Sequence, residues 1–302
     1  MNSLQSLKAR VQEVLAEDHV EKDLASLQLT QHLGVNPELR FEIIAKEDLI
    51  FCGAKWVQAF AELGLFTVES LVRDGTPVAT RERVLVGRAR LAETLSLERS
   101  LLNGMQRWSG VATLTHHCVQ NVKRAYAQWS PAEQEAWPEP RVLHTRKTTP
   151  LWRDLEIEAV IVGGGHAHRA SLAERPMVKE NHKEPVLRLR GEWKPYLRQV
   201  IARHPDAVIE AETWSEAGDA LDLGAQCLLL DNFSPAQLRA ELMPFLAAHA
   251  GAKAAIEVSG GINPANLADY VLPGVSRISM GALTHSYRSA DLSLNLLFEG
   301  QG

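Results

Sequence analysis

From Arg141 onward, short apolar runs alternate with segments of helical periodicity, and this alternation constrains the fold more than any other feature. The runs RVLHTRK, EAVIVGGG, PMVKEN, AVIEAE, CLLLDN, AAIEVSGG and RISMGA each stop abruptly at polar or glycine residues. Runs that are apolar throughout and separated by helices fit a parallel sheet covered on both faces. Helix starts stand between several of them: Ser215 before a segment ending at Gly224, Ser234-Pro235 before one ending at Gly251, and Asn263-Pro264. Seven runs are about the number that closes a βα barrel of TIM type, so the fold class expected here is α/β. In that architecture the chemistry sits at the carboxyl ends of the strands.

The preceding half has a different rhythm. Leu4, Leu7, Val11, Val14 and Leu15 share one face of an opening helix. Between about Asp23 and Gly87, the β-prone runs ELRFEIIAK, LIFCGAKWV, LFTVESLVRDGTPV and ERVLVGRA are divided by turn residues, with one helix, AKWVQAFAELG, among them. This reads as an α+β unit with a largely antiparallel sheet. The stretch from Ala89 to Trp129 is helical and is expected as two or three helices broken near Gly104 and Ser109-Gly110. Ser130-Pro131 opens a loop or short helix, and Trp137-Pro138-Glu139-Pro140 is a linker. A length of 302 residues suits one large domain or two. With 45% hydrophobic and 23% charged residues, no apolar run of spanning length and no apolar leader, the chain is expected to be soluble and cytoplasmic. Its net charge of -5 argues against a general nucleic-acid binder. Cys52, Cys118 and Cys227 are odd in number and sit in apolar company, as reduced core residues do.

In this acidic chain, cations crowd into Thr145–His182: Arg146, Lys147, Arg153, Arg169, Arg175 and Lys179, with His166, His168 and His182. Such a concentration suits a polyanionic small molecule. Arg146-Lys147 follows the first run, and its plain alternative is a solvated basic pair. Gly163-Gly164-Gly165 either lets backbone amides approach an anion or simply makes a tight turn. His168-Arg169 suits anion donation better than metal binding, because no third ligand stands nearby at zinc spacing. Lys179 ends one run, and Glu210 and Asp231 end two others. Carboxylates there bind sugar hydroxyls, Mg²⁺ or the neighbouring lysines, and Glu212 competes with Glu210. Ser259-Gly260 and Gly281 form glycine turns after the last two runs, the usual place for a phosphate in a barrel.

Taken in order, TRKTTP with Arg153, GGGHAHR, VKENH, IEAE, LLLDNF, EVSGGI and RISMGALTHS resemble the quinolinate phosphoribosyltransferase family. ERSLLNGMQRWSGVATLT is similar to the same family's long helical stretch. The resemblance covers roughly 49–294 and implies an N-terminal open-faced α/β sandwich, residues 1–115 joined by the tail 287–302. It also implies an incomplete barrel of about seven strands over 116–286. It implies transfer of phosphoribose from phosphoribosyl pyrophosphate to quinolinate with decarboxylation, giving nicotinate mononucleotide, pyrophosphate and CO2 in NAD biosynthesis. Carried over residue by residue, quinolinate is met by Arg146, His168, Arg169, Lys179 and Arg99, the last from a neighbouring subunit of a homodimer or an oligomer of dimers. Lys147, Glu210 and Asp231 take the catalytic places, and Ser259, Gly260 and Gly281 hold the 5′-phosphate. Mg²⁺ is implied through substrate oxygens, with Glu210 and Asp231 nearby.

Some positions depart from the family pattern. Ala167 stands for an asparagine, Leu151 for a glycine, Ser276 for an aspartate, and EDHVEKDLA is a degraded early motif. These departures leave room for a related pyrophosphorylase-like protein of molybdenum-transport operons. A non-catalytic anion-binding barrel is the alternative from another class.

Overall fold

The structure is a computed structural model, and it describes residues 4–298. Helices α1 (Leu4–Glu17) and α2 (Leu24–Leu33) lead into strands β1 (Glu38–Ala45) and β2 (Leu49–Ile50) and helix α3 (Ala54–Glu62). Strands β3 (Thr67–Leu71), β4 (Pro77–Val78) and β5 (Arg83–Arg90) precede the long helix α4 (Leu91–Tyr126). Then come α5 (Pro131–Ala136), β6 (Arg141–Leu143), α6 (Arg153–Val162), β7 (Met177–Val178), α7 (Glu180–Arg190), α8 (Lys194–Arg203) and β8 (Val208–Ala211). The chain closes with α9 (Trp214–Asp222), β9 (Cys227–Asp231), α10 (Pro235–Ala248), β10 (Ala255–Ser259), β11 (Arg277–Ser279), α11 (Ala282–His285) and β12 (Leu292–Leu297). No described helix is long and apolar enough to cross a membrane.

The chain forms two compact units. Met1–His116, Asp154–Gly163 and Tyr287–Gly302 make the first, and His117–Arg153 with Gly164–Ser286 make the second. Of the expected returning tail 287–302, β12 pairs with β1, and the last four residues lie outside the described ones.

The first unit carries an antiparallel sheet ordered β12-β1-β5-β3. Period-two alternation on β1 buries Phe41, Ile43 and Ala45, while α3 contributes Trp56, Val57, Ala59 and Phe60 to the same core. Phe41 meets Phe66 edge to face at 5.5 Å. The expected breaks near Gly104 and Gly110 do not occur, because α4 runs unbroken for 36 residues. Both glycines serve close approach instead. A Cβ at Gly104 would overlap the Trp56 indole, and one at Gly110 would overlap the Arg288 carbonyl oxygen. The helix α2, over Leu24–Leu33, also falls where only strands and turns were expected.

A second correction concerns EAVIVGGG, which is the end of helix α6 and not a strand. A short apolar run does not distinguish a strand from a buried helix face. Here Leu155, Ala159 and Val160 are buried, Asp154 accepts a forked hydrogen bond from Arg10 (3.0 and 2.7 Å), and fully buried Glu156 pairs with Arg107. The triple glycine is the exit of that helix. Gly163 sits where a Cβ would overlap the Ala112 carbonyl on α4, and Gly164 takes a left-handed φ of 92°. The Gly163 amide donates to the Ala159 carbonyl at 3.0 Å and so closes the helix.

The second unit holds a parallel sheet ordered β6-β11-β10-β9-β8-β7, and a single parallel bridge from Leu143 to His166 adds a seventh member beyond β6. In chain order these members follow one another around a ring, and the ring stays open between His166 and β7. This is the incomplete α/β barrel. Outward positions such as Leu228, Leu230, Ile256, Val258 and Ile278 are buried and apolar. The register puts Arg141, Glu210, Leu229, Asp231, Glu257, Ser259, Arg277 and Ser279 on the other face. α10 carries the expected cap, with Ser234 and Gln237 in a reciprocal box and Pro235 first. Two other caps differ: Thr213, not Ser215, caps α9, and Asn263-Pro264 leads only into a short 3-10 turn, Leu267–Tyr270.

Candidate active site

Parallel strands in ring order bring their carboxyl ends to one mouth, and the candidate residues lie along it in that order. Arg146 and Lys147 follow β6, Gly281 follows β11, Ser259 ends β10 with Gly260 next, Asp231 ends β9, Glu210 lies on β8, and Lys179 follows β7. Cations therefore stand at both ends of an arc, with glycine turns and carboxylates between them.

The β6 end is built for an anion. The Arg146 Nε is buried without a hydrogen-bond partner among the described residues. Thr284 Oγ1 donates to the Lys147 carbonyl at 2.8 Å, fixing that loop against α11. A Cβ at Gly281 would stand 2.9 Å from Lys147 Cδ and 2.8 Å from His285 Nε2, so the glycine gives both side chains their space. His285 was not among the expected residues; its place in THS after the last glycine turn was the available signal. Arg153, part of the TRKTTP match, donates to Thr148 Oγ1 at 2.9 Å and to the Ala170 carbonyl at 3.3 Å. It ties two loops of the site together. Leu151, where the family pattern has glycine, holds a left-handed φ of 66°.

The glycine turn after β10 is a tight one. Gly260 has φ 92° against Asn232, itself at φ 59°, and Asn232 N donates to the Ser259 carbonyl at 2.9 Å. A Cβ at Gly260 would overlap the Asn232 amide oxygen. The Gly260, Gly261 and Gly281 amides donate to no backbone carbonyl of a turn or loop among the described residues. Ser276, standing for an aspartate, donates through both N and Oγ to the Ile256 carbonyl (2.9 and 3.0 Å) and so ties β10 to the entry of β11.

Between these lie the carboxylates. Glu210 is 7% exposed and pairs with Lys179, so the plain reading of an internal salt bridge holds for the free protein. Burial, and next a hydrogen bond with Glu180, push the Glu210 carboxyl up to about 7, with Asp231 adding repulsion. That hydrogen bond with Glu210 holds Glu180 below its ordinary range. Glu212 is exposed, which removes it as the competitor of Glu210. Asp231 is half-buried and accepts from Asn232 Nδ2 at 2.7 Å. Two adjoining carboxylates suit a hydrated Mg²⁺ that takes its other ligands from substrate; no cluster of three or more acidic, His or Cys ligands exists among the described residues.

Arg169 and His168 line the open seam. Arg169 is 9% exposed and donates to the Arg175 carbonyl at 3.3 Å. Burial first, then Arg146 and Arg175, lower its pKa. His168, expected to meet quinolinate, is held between its neighbours in the free protein. Its Nδ1 accepts from the Arg169 amide at 2.7 Å, its own amide donates to His144 Nε2 at 3.0 Å, and its Nε2 lies 3.1 Å from Glu257 Oε1, off the line of a hydrogen bond. The ring thus points into the barrel, where Ser279 also binds Glu257. Burial alone would raise Glu257, but His168, Ser279 and Arg277 hold it below its ordinary range. His168 here orients the backbone of Arg169. Arg99, on α4, has a side chain 61% exposed with Glu98 at 4.0 Å.

Comparison with known proteins covers most of the chain. Two family models, quinolinate phosphoribosyl transferase C-terminal domain and N-terminal domain, match residues 111–295 and 24–109. A probable nicotinate-nucleotide pyrophosphorylase [carboxylating] of Methanothermobacter thermautotrophicus is 33% identical over 258 residues, 84% of this chain and 87% of that one. The Bacillus subtilis protein of the same description is 32% identical over 305 residues, covering 100% and 96%. Among solved structures, the nicotinate-nucleotide pyrophosphorylase from Francisella tularensis superposes with a TM-score of 0.81 at 26% identity, covering 98% of both chains. The one from Ehrlichia chaffeensis gives 0.79 at 26%, covering 96% and 98%.

Proposed function

The chain belongs to the quinolinate phosphoribosyltransferase family, and from that premise we propose how its own residues divide the work of a carboxylating nicotinate-nucleotide pyrophosphorylase. The observation that carries the reading is the arc of strand ends, in which an unpartnered buried Arg146 Nε, two glycine turns and two carboxylates face one mouth.

Quinolinate carries two adjacent carboxylates. Arg146, Arg169 and Lys179 neutralise them, helped by Arg99 from the neighbouring subunit of a homodimer, and His168 keeps Arg169 in place. Lys179 leaves Glu210 to do so. That exchange frees Glu210 to meet the ribose hydroxyls together with Asp231. Ser259 and the amides at Gly260 and Gly281 take the 5′-phosphate, and Lys147 faces the pyrophosphate. Mg²⁺, when bound, neutralises the leaving pyrophosphate, and Glu210 and Asp231 are the side chains that would hold it.

With both substrates held, the quinolinate nitrogen forms a bond to the anomeric carbon as the bond to pyrophosphate breaks. Glu210 and Asp231 stabilise the positive charge that develops on the ribose. The resulting pyridinium accepts the electron pair left when the adjacent carboxylate departs as CO2, and a proton takes its place on the ring. Positioning and charge neutralisation supply most of the acceleration. A binding-only barrel would gain nothing from carboxylates in an anion pocket. The test is to supply quinolinate, phosphoribosyl pyrophosphate and Mg²⁺ and to follow nicotinate mononucleotide and CO2 in equal amounts. No product from folded protein would overturn the reading.

A further inference from the structure

The second unit has another cavity, at the amino-terminal ends of its strands. It measures about 280 Å³ and is lined by Arg141, His166, Arg175 and Arg277, with Glu174 and Asp206 on its wall. Arg141 and Arg277 are the first residues of β6 and β11, Arg175 immediately precedes β7, and Asp206 precedes β8. The cavity thus reaches from the amino-terminal strand ends up the open seam to His168 and Arg169, which also line it.

Three arginines outnumber the two carboxylates of that wall. None of Arg141, Arg175 and Arg277 has an acidic oxygen within 4.0 Å among the described residues, whereas Arg10, Arg107, Lys179 and Lys183 each do. Arg277 Nη1 lies 3.4 Å from Cys227 Sγ, and Arg175 Nη2 lies 4.0 Å from the same sulfur. Two guanidinium groups therefore converge over one buried thiol, and the Arg175 Nε is buried with no hydrogen-bond partner. Glu174 does not neutralise them, because its carboxylate accepts from the Ala170 amide at 2.7 Å. Glu257, the register partner of Arg277, is shared between that arginine, His168 and Ser279, so it offsets Arg277 only in part.

Like charges held together in a partly enclosed space raise the energy of the fold unless something compensates them. The amino-terminal end of such a barrel is ordinarily a stabilising face with no ligand. Forked donors converging from three strand ends match the oxygens of a compact dianion. The volume equals roughly nine liquid waters, room for one phosphate group with its shell.

We propose that the amino-terminal end of this cavity is a second anion site, which takes a phosphate-class dianion between Arg141, Arg175 and Arg277. Arg169 lines the same cavity and donates to the Arg175 carbonyl, so an anion there also steadies the loop that carries a substrate-facing arginine.

The test is thermal unfolding of the full chain, wild type against Arg277→Gln and Arg141→Gln, titrated with inorganic phosphate at constant ionic strength. Phosphate at the catalytic mouth stabilises all three proteins equally, so the difference between them isolates the second site. The expected result is a phosphate-dependent rise in Tm that is larger in wild type by several degrees, with kcat unchanged in Arg141→Gln. Equal phosphate shifts in all three proteins would overturn the proposal, as would phosphate-free variants that gain all the stability wild type gains from phosphate. Arg141 is exposed at the rim, so its replacement keeps the experiment readable if Arg277→Gln fails to fold.

Discussion

Burial chiefly, and next a hydrogen bond with Glu180, make Glu210 a carboxyl that changes charge near neutral pH. Its folded pKa of about 7 lies above the ordinary 4.5, chiefly because of burial. Between those values the folded state keeps a proton that the unfolded chain releases. The stability from this group is therefore full below pH 4.5 and is lost as pH rises through 7. Glu210→Gln removes that slope. Its unfolding free energy should gain on wild type from pH 5 to pH 8, by on the order of 3 kcal/mol at the upper limit. Its kcat should nonetheless fall tenfold or more, roughly the loss of one preorganised electrostatic contact. Parallel denaturation curves at both pH values would refute the assignment. Leu151 offers a simpler case, since its left-handed backbone costs about 1 kcal/mol that glycine would not. Leu151→Gly should raise stability by roughly that amount, less the added freedom of the unfolded chain; a loss in urea titration would overturn the backbone-strain reading. At this scale the strand-end residues were legible, because a motif fixes residue type and order. The inward turn of His168 was not, since it depends on Glu257, which lies 89 residues further along the chain (257 minus 168).

Helix α4 shows how a residue that weakens a helix in isolation can be required within a fold. Gly110 in a helix interior costs about 1 kcal/mol relative to alanine by propensity alone. Gly110→Ala nevertheless should destabilise the protein by more than 2 kcal/mol, because the new methyl would overlap a backbone carbonyl that cannot rotate away. Gly34→Ala is the control, a helix end with open space around it, where only the left-handed φ of 69° costs anything. Equal losses in the two variants, measured by denaturant midpoint, would remove close packing as the cause. The same reasoning explains what the sequence concealed. Glycines 104 and 110 look like breaks, and Ala159-Val160-Ile161-Val162 looks like a strand, when only local pattern is weighed. Their true roles are set by Trp56, Arg288, Arg10 and Arg107, partners distant in sequence. The other six strand runs were legible because each ends at an abrupt polar or glycine stop that the barrel reproduces.

For the whole molecule, the proposed loan of Arg99 between subunits makes a sharp prediction. Arg99→Ala and Lys179→Ala should each be nearly inactive alone. Mixed, unfolded and refolded together, they should recover about a quarter of wild-type activity, since half the dimers are hybrids with one intact site of two. Failure to recover any activity, with hybrids verified by mass, would confine Arg99 to its own subunit.

The open seam in the barrel has a mechanical consequence. β7 is two residues long and has a partner on one side only, β8, while the edge formed at His166 faces it unjoined. The strand that delivers Lys179 can thus part from its neighbour across the gap without breaking any ladder hydrogen bond. A closed ring would have to break such bonds to widen by the same amount. Breathing of the mouth is concentrated along one line, and the amide of Val178 should exchange with solvent far sooner than that of Leu229 on doubly paired β9. Substrate entry through this line needs no domain to move.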